Sequence, residues 1–162
     1  MASAGAFALY ARFDWPWLVL GWVGLVPFLA VLDRAASPRD ALAAGLVMAV
    51  AFEGLVFGWF PGAIQTYTGA PWTLALLVLL AMAPFLQPQL VAFALARHVV
   101  RRGGAGLWPT ALAGASAYVG TEWAIPKLFG DTLGYGLYPS AWMRQRPSVR
   151  AFEAWLTFAS ST

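Results

Sequence analysis

Charge is scarce in this chain. Only 10% of its 162 residues are Asp, Glu, Lys or Arg, whereas soluble proteins average about 25%. Between Asp40 and Arg97 the only formal charge is Glu53. A water-soluble domain needs charged residues to cover its surface, so this composition, with 60% hydrophobic residues, predicts a protein embedded in a lipid bilayer.

Cysteine is absent, and histidine occurs once, as His98. These absences exclude disulfides, thiolate metal ligands and a cysteine nucleophile from this chain, and we expect no metal and no cofactor. The net charge of +3 comes mainly from arginines that flank apolar segments. That pattern is typical of membrane topology signals rather than of a nucleic-acid-binding face. The expected partner is therefore the phospholipid bilayer, and nucleic acid is not expected.

Four apolar segments are long enough to cross a hydrocarbon core of about 30 Å as helices. Their approximate bounds are Trp15–Leu32, Ala41–Gly62, Trp72–Val100 and Leu107–Ile125. A shorter apolar stretch, Ala2–Ala11, predicts a partial first helix. The predicted fold class is all-α, a polytopic transmembrane helix bundle with about four spanning helices plus this partial one. It occupies residues 1–145, and residues 146–162 form an atypical tail.

Arginines predict how this bundle is oriented. They form two groups, Arg34 and Arg39 before the second segment and Arg97, Arg101 and Arg102 at the end of the third. Two crossings separate the groups, so both lie on the same side. The positive-inside rule assigns that side to the cytoplasm. The uncharged turn at residues 63–70 then faces outside.

Glu53 is the first candidate for a functional role, because an ionisable group inside a membrane is costly. Counted along a straight helix from Gly62, it lies about 13 Å deep. A glutamate that only fixes helix packing is the simpler interpretation. Gln87 and Gln89 on the next segment are the candidate partners. Gln87 lies about 22 Å from the same side, and this mismatch argues against a direct bond unless a kink shifts the helix.

Small residues and prolines mark the second and third segments. Gly54, Gly58 and Gly62 recur every four residues and predict one stripe against which a neighbouring helix can pack closely. Pro84 and Pro88 predict a kink in the third segment. Both features favour helix packing over chemistry.

Two further ionisable residues lie near segment ends. His98, next to Arg97, is interpreted as a residue of the cytoplasmic end rather than as a ligand or base. Glu122 is interpreted either as an interfacial anchor or as a residue facing an outer cavity.

Four motifs occur in an order that resembles one known family, the bacterial apolipoprotein N-acyltransferases. They are Phe13-Asp14-Trp15-Pro16, the helix–turn from Gly58 to Pro71, Thr121-Glu122-Trp123, and the segment from Leu133 to Gln145. Each motif resembles the family's sequence at one helix end or outer loop. The order and spacing agree from Phe13 to Gln145.

The resemblance implies an eight-helix membrane bundle that carries a periplasmic nitrilase-like domain. Such an enzyme transfers an acyl chain from phospholipid to the amino group of a lipoprotein, with a Glu–Lys–Cys set in that domain. None of the three residues is carried over to this chain, so we expect no catalytic residue and no activity from it alone. The implied location is the bacterial inner membrane, multi-pass, and the lipoprotein is a partner of the full enzyme only.

The same resemblance suggests candidate residues along a lipid or substrate route. Trp59, Tyr67, Glu122 and Tyr135 would line the outer mouth of the bundle, and Glu53 is a further candidate deeper along the route.

The resemblance ends near Gln145, where the arginine pattern also departs from the positive-inside rule. Arg144, Arg146 and Arg150 lie on the predicted outer side. This coincidence leads to the hypothesis that the gene is truncated or frameshifted there. Two other interpretations stay open, a small autonomous carrier that uses Glu53 and a non-enzymatic membrane scaffold that uses the glycine stripe.

Overall fold

A computed structural model describes residues 1–10 and 20–125, apart from the side chains of residues 21 and 22, and these residues form helices and no strand. The helices are α1 Ala2–Tyr10, α2 Leu20–Val23, α3 Val26–Arg34, α4 Pro38–Val56, α5 Phe60–Thr68, α6 Trp72–Leu86, α7 Pro88–Arg102 and α8 Leu107–Ala124. The all-α prediction is confirmed over this part of the chain. The motif at residues 13–16, the route candidate Tyr135 and the tail at 146–162 lie outside the described residues.

The second and third predicted segments are each broken in two. α4 and α5 meet at an angle of 61°, and α6 and α7 meet at 46°. No single helix among the described residues is long and apolar enough to cross a membrane, but each bent pair has the required length and composition. The prediction of one continuous helix over residues 41–62 is therefore wrong at residues 57–59, and the kink predicted in the third segment is confirmed.

Proline explains both breaks. A proline inside a helix lacks the N–H donor, and its ring clashes with the carbonyl four residues earlier. Pro88 acts in this way at the third segment, where Gln87 leaves the helical region with φ −123° and ψ 48°. Pro61 lies in the first turn of α5, and the carbonyl it would clash with belongs to Phe57, where α4 ends. Each proline thus ends one helix and is tolerated at the start of the next.

A capping box begins α4 at Pro38. The Ser37 hydroxyl accepts a hydrogen bond from the backbone N–H of Asp40 at 3.2 Å. In return the Asp40 carboxylate accepts from the backbone N–H of Ser37 at 2.8 Å and from that of Ala36 at 3.1 Å. These bonds pair donors that a helix start otherwise leaves unsatisfied, so the start of α4 is sharply defined.

The core surrounds α4, which packs against α1, α6 and α7. Phe7 of α1 meets Phe52 of α4 edge to face, with ring centroids 5.8 Å apart. α1 is also tied to α3, because the Ser3 hydroxyl accepts a hydrogen bond from the backbone N–H of Phe28 at 2.8 Å. That N–H belongs to the first turn of α3 and has no partner within its own helix.

Two glycines outside the predicted stripe permit the closest helix contacts. A Cβ atom on Gly45 would lie 3.0 Å from the Cα of Val91, so the backbones of α4 and α7 approach each other directly. A Cβ atom on Gly114 of α8 would lie 2.9 Å from the ring of Phe93. Neither position tolerates a larger residue without movement of its neighbour.

We expect Gly45→Leu to destabilise the bundle by about 1–3 kcal/mol, because the side chain would overpack the α4–α7 contact. Thermal unfolding of the detergent-solubilised chain, followed by circular dichroism, measures this loss. Gly62→Leu is the matched control, since a Cβ atom on Gly62 meets nothing within 4 Å. Equal melting temperatures for the two variants would show that the close approach of α4 and α7 at Gly45 does not contribute to stability.

Candidate functional site

Glu53 lies in the last turn of α4, just before the break at residues 57–59, and only 2% of its surface is exposed. Ala49 and Phe52 are buried beside it on the same helix. A carboxyl group in such apolar surroundings requires hydrogen-bond donors, because water is excluded.

Gln87 supplies one donor. Its side-chain Nε2 donates a hydrogen bond to Glu53 Oε1 at 2.8 Å. The side chain of Gln89 in turn donates to Gln87 Oε1. Gln87 and Gln89 are as deeply buried as Glu53. Together, Glu53, Gln87 and Gln89 form a polar cluster, called here the amide–carboxyl cluster.

This direct bond contradicts the depth mismatch derived from the sequence. That comparison counted both depths from the outer ends of straight helices, and the breaks invalidate it. The depths agree when they are counted from the basic side of the bundle. Along α4, Glu53 lies about 24 Å from Ser37, and along α7, Gln87 lies about 22 Å from Arg102. The two side chains therefore reach the same level.

The amide–carboxyl cluster joins the two breaks. Glu53 immediately precedes the α4–α5 break, and Gln87 is itself the residue at which α6 gives way to α7. Unlike a salt bridge, an amide–carboxyl pair brings at most one formal charge into the apolar interior, which limits the desolvation cost. The arrangement is suited to hold a carboxyl group at a defined place and to fix the two bends relative to each other.

The remaining route candidates are spread over the surface of the described residues. Trp59 precedes α5 and is 65% exposed, and Tyr67 near its end is 88% exposed. The Trp59 ring packs edge to face on Phe60, with centroids 5.7 Å apart. Glu122 is half-buried near the end of α8. The structure thus brings Glu53 together with Gln87 and Gln89, whereas Trp59 and Tyr67 turn outward.

The predicted glycine stripe is not continuous. Gly54 does pack against α6, since a Cβ atom there would lie 3.2 Å from Leu80. Gly58, however, lies in the break between α4 and α5, and Gly62 faces open space. The four-residue spacing predicts one face only along an unbroken helix, and Pro61 breaks this one.

A second polar site lies at the C-terminal ends of α3 and α7, and we call it the basic end. The Arg97 Nη2 atom lies 2.7 Å from the Asp33 carboxylate, and Arg101 pairs with the same oxygen. Arg97 is only 7% exposed. Arg102 donates to the backbone carbonyls of Ala35 and Ala36. The arginines expected to mark membrane orientation therefore also lock the ends of two helices together.

Two carboxyl groups at the basic end are held in their charged form. Partial burial of Asp33 raises its pKa, but the hydrogen bond and charge of Arg97, together with Arg101, outweigh this and keep the pKa below its usual value. Hydrogen bonds from Ser37 likewise lower the pKa of Asp40. Both groups therefore carry negative charge at neutral pH.

A pocket of about 290 Å³ opens at the basic end. It is lined by Leu32, Asp33, Arg34, Ala35, Ala36, His98, Arg101 and Arg102. His98 lies near the end of α7, is 6% exposed and lines this pocket. One feature of the sequence indicates the arginine cluster, because Arg97 and Arg101 are four residues apart and therefore lie on one face of a helix.

We expect Gln87→Leu to cost about 1–3 kcal/mol, because it removes the hydrogen bond that Gln87 donates to buried Glu53 and the one that it accepts from Gln89. The free energy of unfolding in detergent micelles, titrated with a denaturing detergent, measures this effect. Gln65→Leu is the control, since Gln65 is exposed on α5. Similar unfolding free energies for both variants would contradict a stabilising role for the amide–carboxyl cluster.

The lowered pKa of Asp33 predicts a pH dependence of stability. A depressed pKa gives stability that is complete above the unfolded value, about 3.9 for Asp, and that is lost as pH falls through the lower folded value. We expect Asp33→Asn to lower the melting temperature at pH 7 and to have a smaller effect at about pH 3. A loss of equal size at both pH values would show that the charge of Asp33 is not responsible.

Comparison with known proteins identifies the family of this chain. Residues 4–149 match the family described as the apolipoprotein N-acyltransferase N-terminal domain. No curated protein and no solved structure matches the chain.

Proposed function

Because the chain belongs to the apolipoprotein N-acyltransferase N-terminal domain family, we propose that it is the membrane-embedded portion of an acyltransferase-like protein. In the full enzyme, acyl transfer runs from a phospholipid to the N-terminus of a lipoprotein. The family match over residues 4–149 is the observation that carries this proposal. Family membership also supports a location at a bacterial membrane.

The surface of the bundle supports a multi-pass arrangement. Large apolar side chains are exposed along the second bent pair, among them Leu74, Leu77, Val78 and Phe85. An apolar exterior of this kind is unfavourable in water and favourable against lipid. The two bent pairs have the length and composition of broken spans. In this arrangement, the basic end faces the cytoplasm and α5 lies near the outer surface.

The proposed role of this portion is to anchor the protein and shape the approach of lipid. Trp59 and Tyr67 are exposed, as interfacial aromatic residues are expected to be, and we assign them with Glu122 to the proposed outer mouth. Glu53 is buried in the amide–carboxyl cluster, so its proposed contribution is to hold the bend from which α5 leaves α4. No residue of this chain is proposed to act on the acyl group directly.

Single cysteines test the proposed orientation, because the chain has no native cysteine. Ala36→Cys places a thiol at the basic end, and Thr68→Cys places one at the end of α5; both positions are exposed. In intact bacterial cells, we expect a membrane-impermeant thiol reagent to label Thr68→Cys only. After permeabilisation, both variants should react.

Several results would contradict the proposal. Labelling of both variants, or of Ala36→Cys alone, in intact cells would overturn the orientation. Release of the chain from membranes by alkaline carbonate would overturn membrane embedding itself. The cysteine-free chain provides the background labelling in each case.

A further inference from the structure

The pocket at the basic end contains more arginine charges than the carboxylates of the fold neutralise. Three arginines and one aspartate line it, which leaves a surplus of positive charge. Arg97 and Arg101 share the Asp33 carboxylate. Arg102 contacts only neutral backbone carbonyls among the described residues, and Arg34 forms no hydrogen bond or ion pair with any of them. The pocket therefore attracts an anion.

His98 supplies an independent observation. Its side chain lines the pocket. Among the described residues, the fully buried side-chain atom without a hydrogen-bond partner is Arg97 Nε and not a nitrogen of His98, so the imidazole is not a buried orphan. The nearby Asp40 carboxylate accepts hydrogen bonds from the backbone N–H groups of Ser37 and Ala36. An imidazole N–H is a hydrogen-bond donor, and a ligand with acceptor oxygens seated in the pocket would accept a hydrogen bond from it.

Apolar side chains continue the site along the outside of the bundle. Leu32 forms part of the pocket wall. Val31 precedes Leu32 on α3, Val99 follows His98 on α7, and both valine side chains are exposed. A ligand that reaches from the pocket onto these residues needs a charged head and an apolar body. Arginine guanidinium groups match phosphate oxygens in geometry and charge.

We propose that this pocket binds the phosphate group of an anionic phospholipid, with Arg34, Arg102 and His98 as donors and the acyl chains along Val31 and Val99. The proposal rests on the membrane location proposed above. It goes beyond that function, because it adds a lipid site at the end of the bundle opposite to α5. Basic pockets between helices at the cytoplasmic surface are suited to such head groups.

Lipid retention by the full chain tests this site. The chain, purified in an uncharged detergent, is incubated with phosphatidylglycerol or phosphatidylcholine, and bound lipid is counted by native mass spectrometry. We expect phosphatidylglycerol to be retained preferentially. Removing one arginine, in Arg34→Gln or Arg102→Gln, should weaken its apparent affinity about fivefold.

Arg39→Gln is the matched control for Arg34→Gln. Arg39 lies in the first turn of α4, five residues after Arg34, is exposed and carries the same charge, but it does not line the pocket. His98→Phe keeps the size and aromatic character of the ring and removes its N–H donor, so it should also weaken retention. Circular dichroism confirms that each variant keeps its helices.

Equal retention of the two lipids, or equal losses in Arg34→Gln and Arg39→Gln, would overturn the proposal. Displacement of the lipid by an equal concentration of glycerol phosphate would show that the phosphate group alone is enough for binding. That result would overturn the claim that the acyl chains take part. The assay in detergent does not depend on orientation in a bilayer. A failed labelling experiment therefore counts against the proposed function, and a failed retention experiment counts against this pocket.

Discussion

The hydrogen bond between Gln87 and Glu53 fixes the level at which the two bent pairs meet. At 2.8 Å it joins the end of α4 to the residue that separates α6 from α7. A helix break frees backbone groups, and polar side chains among apolar helices need partners. Placing the glutamate and the glutamine of neighbouring breaks together satisfies the side-chain part of this need, while the prolines cause the breaks themselves.

The basic end attaches α7 to a further helix, α3, at a second level. Asp33 and Arg97 are 64 positions apart in the chain, yet their side chains connect the end of α3 to the end of α7. Between the two polar levels, α4 and α7 touch through Gly45 and Val91 without polar contacts. α7 is thus attached to α3 at the basic end and packed closely on α4 further along, and both contacts oppose sliding of α7 along its neighbours.

Composition and local rules could predict much of this arrangement. The scarcity of charge and the lengths of the apolar segments predict the all-α class. The start of α8 at Leu107 is also where its segment was predicted to begin. The α4–α5 break was missed although Pro61 marks it, because apolar composition continues through it. Because the depths of Glu53 and Gln87 in the membrane were counted along straight helices, the two residues were placed at different depths, and their contact was not predicted. The contact of Asp33 with Arg97 depends on tertiary packing, which no local pattern encodes.

If the bundle is embedded as proposed above, the contact at Gly45 has a consequence for the entry of lipid from the side. A hydrocarbon tail can enter a bundle sideways only through a gap at least as wide as itself. Where α4 lies against α7 with backbone atoms in contact, no such gap exists. A lateral gate for lipid tails is therefore excluded along the Gly45–Val91 contact and has to open between other helices.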